Sequence, residues 1–175
     1  MRHETYLSDD DSALLRNVVK GHSGGSCLEI GAGNCGTLIE LADSFELAVG
    51  TDLVRPDKIG WKHHKGDLVI TDAATCFRDR SFDLVLFNPP YVPTETIEDL
   101  SVDGGRGGIE VALKFLQEAS RVVKKDGRIL MLLSSIDSID DVIKECHRLG
   151  LEIRKTAEKK LFYETLSVFM ACCPG

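Results

Sequence analysis

No segment of this chain is apolar over the ~18 residues that a membrane-spanning helix needs, and the longest apolar run, Ile129-Leu130-Met131-Leu132-Leu133, has the length of a buried parallel strand. The amino-terminal Met1-Arg2-His3-Glu4 is polar and leads into no signal-peptide core. The six cysteines contain no Cys-x-x-Cys pair, which removes zinc-ribbon and thioredoxin-like patterns, and no metal site is expected. Cys27 and Cys172 lie in apolar strand patterns, so buried, reduced thiols and a cytoplasmic compartment are expected. Positive charge is outnumbered by negative. With 21 Lys+Arg against 28 Asp+Glu the formal net charge is −7, which argues against a chain that grips nucleic acid unaided, because phosphate contacts supply most non-specific affinity. Repeats and low-complexity tails are absent. What remains, 175 residues of which 43% are hydrophobic and 28% charged, suits a single domain spanning 1–175 with one full core.

Within that domain, Asn88-Pro89-Pro90-Tyr91 closes the apolar run Phe82-Asp83-Leu84-Val85-Leu86-Phe87. By itself Pro-Pro after a strand can be no more than a rigid strand exit. The residue types also match a chemical need. A conjugated NH2 group has its lone pair delocalised, so it is a poor nucleophile until its two N–H groups are held by acceptors out of the reaction line. The Asn88 side-chain oxygen and the Pro89 carbonyl can be those acceptors, and Tyr91 can stack on the substrate plane. Each proline removes a backbone donor and fixes φ near −65°, so the turn is stiff.

Upstream, Cys27-Leu28-Glu29-Ile30 reads as a short strand running into Gly31-Ala32-Gly33-Asn34-Cys35-Gly36, a complete G-x-G-x-x-G, and then a helical pattern. A second strand, Leu47-Ala48-Val49-Gly50-Thr51, ends in Asp52, placed to accept hydrogen bonds from ribose hydroxyls. That pair of features fits a nicotinamide cofactor as well as S-adenosylmethionine. Hydride transfer has no use for a fixed pair of acceptors beside the glycine loop, whereas methyl transfer to nitrogen does.

Strands are predicted near 26–30, 46–51, 64–66, 82–87 and 127–134, and helices near 9–20, 36–43, 107–123 and 137–148. Two last strands, near 151–160 and 162–172, are too close for a crossover helix and should pair antiparallel. The fold class is therefore α/β: a Rossmann-like, seven-stranded, mainly parallel sheet of the class I methyltransferase type, with a C-terminal antiparallel hairpin and helices on both faces. The aperiodic stretch at about 92–108 reads as a flap over the substrate. Of the basic clusters, Lys124-Lys125 with Arg128 reads as a helix end stopping at Asp126-Gly127, and Lys58, Lys62, His63, His64 and Lys65 lie by a predicted edge strand.

These residues resemble the release-factor glutamine N5-methyltransferase family, in its archaeal and eukaryotic branch. The resemblance is carried by Tyr6-Leu7-Ser8-Asp9-Asp10-Asp11-Ser12-Ala13-Leu14-Leu15, by Leu28-Glu29-Ile30-Gly31-Ala32-Gly33, by Asn88-Pro89-Pro90-Tyr91 with Gly104-Gly105-Arg106-Gly107-Gly108, and by Glu164-Thr165-Leu166-Ser167-Val168. It implies a protein substrate, the glutamine of a release factor's Gly-Gly-Gln loop, and S-adenosylmethionine as the methyl donor. It also implies that Ser12, Glu29 and Gly31 line the methionine end of the donor, with Gly33 in the same loop. Asp52 would take the ribose, Asp67 with Leu68 the adenine, and Asn88 would face donor and substrate together. A small zinc-binding activator protein is expected along the third strand near His64-Lys65-Gly66, in place of the additional helical domain of bacterial relatives. A nucleic-acid amino methyltransferase, acting on adenine or guanine, is the alternative; it needs a basic track this acidic chain does not offer. Neither reading involves a membrane.

Overall fold

The computed structural model describes residues 8–56, 66–90, 92–93, 103–105 and 109–175. Among these, seven strands form one sheet in the order β3-β2-β1-β4-β7-β9-β8, where β1 is Gly24–Ile30, β2 Phe45–Asp52, β3 Asp67–Ile70, β4 Phe82–Phe87, β7 Val123–Ser134, β8 Glu152–Lys160 and β9 Thr165–Cys172. Pairings from β3 through β7 are parallel, and β9 runs antiparallel to both β7 and β8, so β9 alone is reversed. The helices are α1 (Ser8–Val19), α2 (Gly36–Ala42), α3 (Glu110–Val122) and α4 (Ile139–Arg148).

Alternation along the central strands sends side chains into two cores. Leu28, Ile30, Val85, Phe87, Ile129 and Met131 join α3 and α4 on one face. Cys27, Leu84, Leu86, Leu130 and Leu132 join α1 and α2 on the other. A sheet covered on both faces needs near-continuous apolar strands, which is why the Ile129–Leu133 run is fully interior. Gly50 of β2 is where α2 comes closest: a Cβ there would stand 2.8 Å from Ala32 Cβ and 2.9 Å from Leu38 Cδ2.

Two predicted elements are displaced. The third strand is Asp67–Ile70, not 64–66: the branched run Leu68-Val69-Ile70 pairs with β2, and Gly66 lies before the strand, while His64 and Lys65 lie outside the described residues. Helix α3 ends at Val122, in keeping with the 107–123 reading, but β7 begins at Val123 and not at 127, so Lys124 and Lys125 belong to the strand and not to a helix end; Val123 is already extended (φ −71°, ψ 141°). The cause lies under β4. Gly127 must sit where a Cβ would meet Val123 Cγ2 at 2.7 Å and the Asp83 carbonyl at 2.9 Å, and the β4–β7 register shifts there between Phe82 and Leu84. Lys124, read as part of a helix end, instead pairs with Asp83 at 2.7 Å, and Asp83 also accepts from the backbone N–H and hydroxyl of Ser26. Of the predicted flap, the described residues are β5 (Val92–Pro93) and β6 (Asp103–Gly105), which pair parallel.

Candidate functional site

Strand order reverses between β1 and β4, and the register there sets the geometry. Ile30 pairs with Thr51 on one side and Phe87 on the other, so Gly31, Asp52 and Asn88 are each the next residue beyond a common level at the carboxyl edge. This is where open α/β sheets bind ligands. The glycine loop turns sharply: Gly31 has φ +70° and Gly33 φ +50°, a region that side-chain-bearing residues avoid. A Cβ on Gly31 would also stand 3.1 Å from the ring of Phe115, which packs edge-to-face on Phe87 with centroids 5.9 Å apart. Asp52 ties the loop to β2. Its Oδ2 accepts from the Gly33 N–H at 2.8 Å and its Oδ1 from the Val54 N–H at 3.1 Å.

Three buried acceptors have no partner among the described residues: Glu29 Oε2 and Asn88 Oδ1, which flank the glycine loop, and Asp137 Oδ1, beyond the carboxyl end of β7. Buried polar atoms are rarely left unpaired, so Glu29 and Asn88, beside the glycine loop, are candidate contacts for a bound molecule. Glu29 is held by the Thr37 hydroxyl and the Leu38 backbone N–H of α2, and feels the charge of Arg16 from α1. Burial nevertheless dominates and pushes its carboxyl up to about 8 from an ordinary 4.5. Between those values the folded chain keeps a proton that the unfolded chain has lost, so this contribution to stability is full below about pH 4.5 and lost as pH rises through about 8. Asp137 acts in the same direction, raised to about 7 chiefly by burial. The thermal midpoint of the cofactor-free chain is thus expected to fall between pH 5 and pH 8, by roughly 2–4 °C for each kcal/mol involved. Glu29→Gln should flatten the slope; scanning calorimetry with equal slopes for both chains would exclude Glu29 as its source.

No protein-family model matches the chain. A protein of Methanocaldococcus jannaschii named "Putative protein N5-glutamine methyltransferase" is 30% identical over 185 residues, which cover 96% of this chain and 91% of that protein. The chain belongs to the protein N5-glutamine methyltransferases. The eRF1 methyltransferase catalytic subunit mtq2 of Schizosaccharomyces pombe is 27% identical over 95 residues, 49% of this chain and 41% of that protein. In the solved Mtq2–Trm112 complex of E. cuniculi, described as responsible for methylation of the eRF1 termination factor, a chain superimposes with TM-score 0.81 at 25% identity, covering 97% of this chain and 98% of that one. The sheet is accordingly that of class I S-adenosylmethionine-dependent methyltransferases, with the antiparallel strands at its C-terminal end, and S-adenosylmethionine is the donor.

The chain's own residues fit such a donor: a tight glycine turn, an acid locked at its mouth, and unpaired acceptors on either side. All but one of the expected site residues lie among the described residues. Glu29, Gly31, Gly33, Asp52 and Asn88 converge at the switch point. Pro89 is buried behind Asn88. Ser12 lies one helical turn before Arg16, whose Nη1 comes within 3.3 Å of where a Gly36 Cβ would stand, so α1 carries this face over the loop. Tyr91 lies outside the described residues.

Asp67 and Leu68 do not reach the edge. They pair with Val49 and Gly50, whereas Asp52 pairs with Ile70, so Asp67 sits three residues back along the strand, roughly 10 Å. Asp67 is exposed there, and Leu68 packs into the α1–α2 core. The acid that follows β3 at the carboxyl edge is Asp72, which the sequence analysis did not single out; both its carboxylate oxygens accept from Lys114 Nζ, at 2.7 and 2.6 Å. Its place follows from the strand's bounds: with β3 ending at Ile70, Asp72 stands two residues beyond that end. Phe115 was missed too, since one more aromatic on a helix stripe gives no sign of touching a loop 84 positions away. The landmark Glu164-Thr165-Leu166-Ser167-Val168 has a structural account: Leu166 and Val168 are core, Thr165 donates its N–H to Ser135 Oγ at 2.9 Å, and Glu164 accepts from the Ser134 hydroxyl.

Proposed function

We propose that this chain methylates the side-chain nitrogen of a protein glutamine, that of the Gly-Gly-Gln loop of a peptide-chain release factor, in the cytoplasm. The observation that carries this reading is Asn88 Oδ1, a buried acceptor with no partner among the described residues, leaving β4 beside the glycine loop. The names of the relatives supply the release factor as substrate.

Glu29, Gly31 and Ser12 would hold the methionine end of S-adenosylmethionine, Gly33 and Asp52 the ribose, and Asp72 the adenine side in place of Asp67 and Leu68. When bound, this group supplies an electrophilic methyl carried on a sulfonium. Asn88 Oδ1 and the Pro89 carbonyl accept the two N–H groups of the substrate amide and turn its nitrogen toward that carbon, with Tyr91 against its plane. The acceptors matter more as the nitrogen becomes positive, because their pull on its hydrogens strengthens with the charge. No strong general base is required, since the proton on the product nitrogen is acidic and leaves afterwards.

A small zinc-binding activator completes the reading. The four-residue β3 is an edge of the sheet, and Leu53, Val54 and Ile70 beside it are about half exposed. An unpaired edge with apolar neighbours is a liability in a free chain and a docking site in a complex. To test the function, the chain with the activator and labelled donor is incubated with a release factor and, separately, with bulk RNA. Label on the Gly-Gly-Gln glutamine, located by peptide mass spectrometry, is expected; label entering RNA and not protein would replace this reading with the nucleic-acid one.

A further inference from the structure

At the turn between β8 and β9 stand Phe162 and Tyr163, 91% and 90% exposed, far beyond every other large apolar side chain among the described residues. Scattered exposed apolar residues need no explanation, but these two differ in three respects. Their rings pack on each other edge-to-face, with centroids 4.7 Å apart, so they present one apolar knob. The knob sits on a braced base. The Leu161 N–H donates to the Glu164 carbonyl at 2.8 Å, the Glu164 carboxylate accepts from the Ser134 hydroxyl, and Ser135 and Thr165 exchange bonds at 2.9 Å. Asp137 in turn holds the Ser134 N–H at 2.8 Å. With the backbone on either side of the pair already fixed, less ordering entropy is left to lose when a partner arrives, which favours a hot-spot role.

Position supplies the third argument. Ser134 pairs with Leu166 across the antiparallel β7–β9 ladder, so this turn leaves the sheet at the carboxyl edge, the edge that carries Asn88. Only β7 separates β9 from β4, roughly 10 Å sideways, and Ser134 stands three residues, roughly a further 10 Å, beyond the Met131 that pairs with Phe87. A folded protein that offers one side chain to Asn88 covers about 800 Å² of this chain, a patch about 30 Å across, and that footprint takes in the knob.

We infer that the Phe162–Tyr163 turn is a docking point for the folded protein substrate, contacting an apolar patch on the substrate outside the pocket that takes the glutamine. The inference rests on the proposed function, since it needs a macromolecular substrate at that edge. The activator is a different matter, because β3 lies at the opposite end of the sheet from β8. The turn sets affinity for the folded substrate and takes no part in the methyl transfer.

The test is the paired substitution Phe162→Ala with Tyr163→Ala, assayed with the activator present on an intact release factor and on a short Gly-Gly-Gln peptide. The thermal midpoint and the donor Kd should stay at the parent values, because neither ring is buried. On the intact factor KM should rise about tenfold or more while kcat stays within about twofold, and on the peptide kcat/KM should not change. An unchanged KM on the intact factor overturns the proposal, and so does an equal loss on factor and peptide, which would mean that the turn shapes the pocket. A parent that is dimeric by light scattering and a variant that is monomeric would assign the knob to a second copy of the chain instead. If the parent labels no release factor, the proposed function falls and takes this inference with it; that result is read before any variant is compared.

Discussion

Asn88→Ala should reduce methyl transfer by about 10²–10³-fold or more at saturating substrate, while the donor Kd changes by less than about tenfold, or about 1.4 kcal/mol. The asymmetry follows from where the side chain stands. Asn88 Oδ1 has no partner among the described residues, so the substitution breaks no internal hydrogen bond through that atom, and Pro89 still closes the strand behind it. What disappears is one of two acceptors that fix the amide nitrogen in line. Positioning of this kind can be worth several kcal/mol and is expressed only in the reacting complex. Stopped assays with labelled donor measure the rate, and titration calorimetry measures the Kd. A variant that turns over at near the parent rate would remove Asn88 from the chemistry; one that also loses donor binding would make it a cofactor ligand only.

Asp52→Ala should have the opposite signature. Both carboxylate oxygens are occupied, by the Gly33 N–H at 2.8 Å and the Val54 N–H at 3.1 Å, so the side chain holds the glycine loop in place before it meets any ribose. Its removal frees two backbone donors and takes away the hydroxyl acceptors together. With charged hydrogen bonds contributing about 1.5–3 kcal/mol each, the donor Kd is expected to weaken by about 100-fold, with kcat at saturating donor largely kept. Asp67→Ala is the matched control. Three residues back from the edge and exposed, Asp67 should leave the Kd within about twofold, and a loss there equal to that of Asp52→Ala would restore it as a cofactor ligand.

Much of this site could be read before any coordinates existed, because its parts are local. Gly31 and Gly33 are needed by a turn that only they adopt without strain, and Asn88 directly follows an apolar run that must be a strand. Strands β1, β2 and β4 and the closing hairpin were visible for the same reason. The two displaced elements show where local signals fail. Nothing near Asp126-Gly127 announces that the strand has already begun at Val123; that depends on Gly127 sliding beneath Asp83, a residue 44 positions earlier. Which of two acids serves the edge of β3 likewise depends on pairing with β2, and a strand's offset against its neighbour is not written within the strand.

Periodicity, glycine placement and the Asn-Pro-Pro-Tyr turn were enough to determine that this chain folds as a mainly parallel α/β sheet with a nucleotide-type loop next to a pair of oxygen acceptors. Such features are encoded within a few residues of one another, where backbone sterics act directly. Tertiary structure alone decided that Asp72 and not Asp67 arrives at the edge, that Phe115 walls the glycine loop, and that the turn bearing Phe162 and Tyr163 leaves the sheet at that same edge. Each of those facts is a distance between segments far apart in the chain, set when the strands find their register and the two cores close.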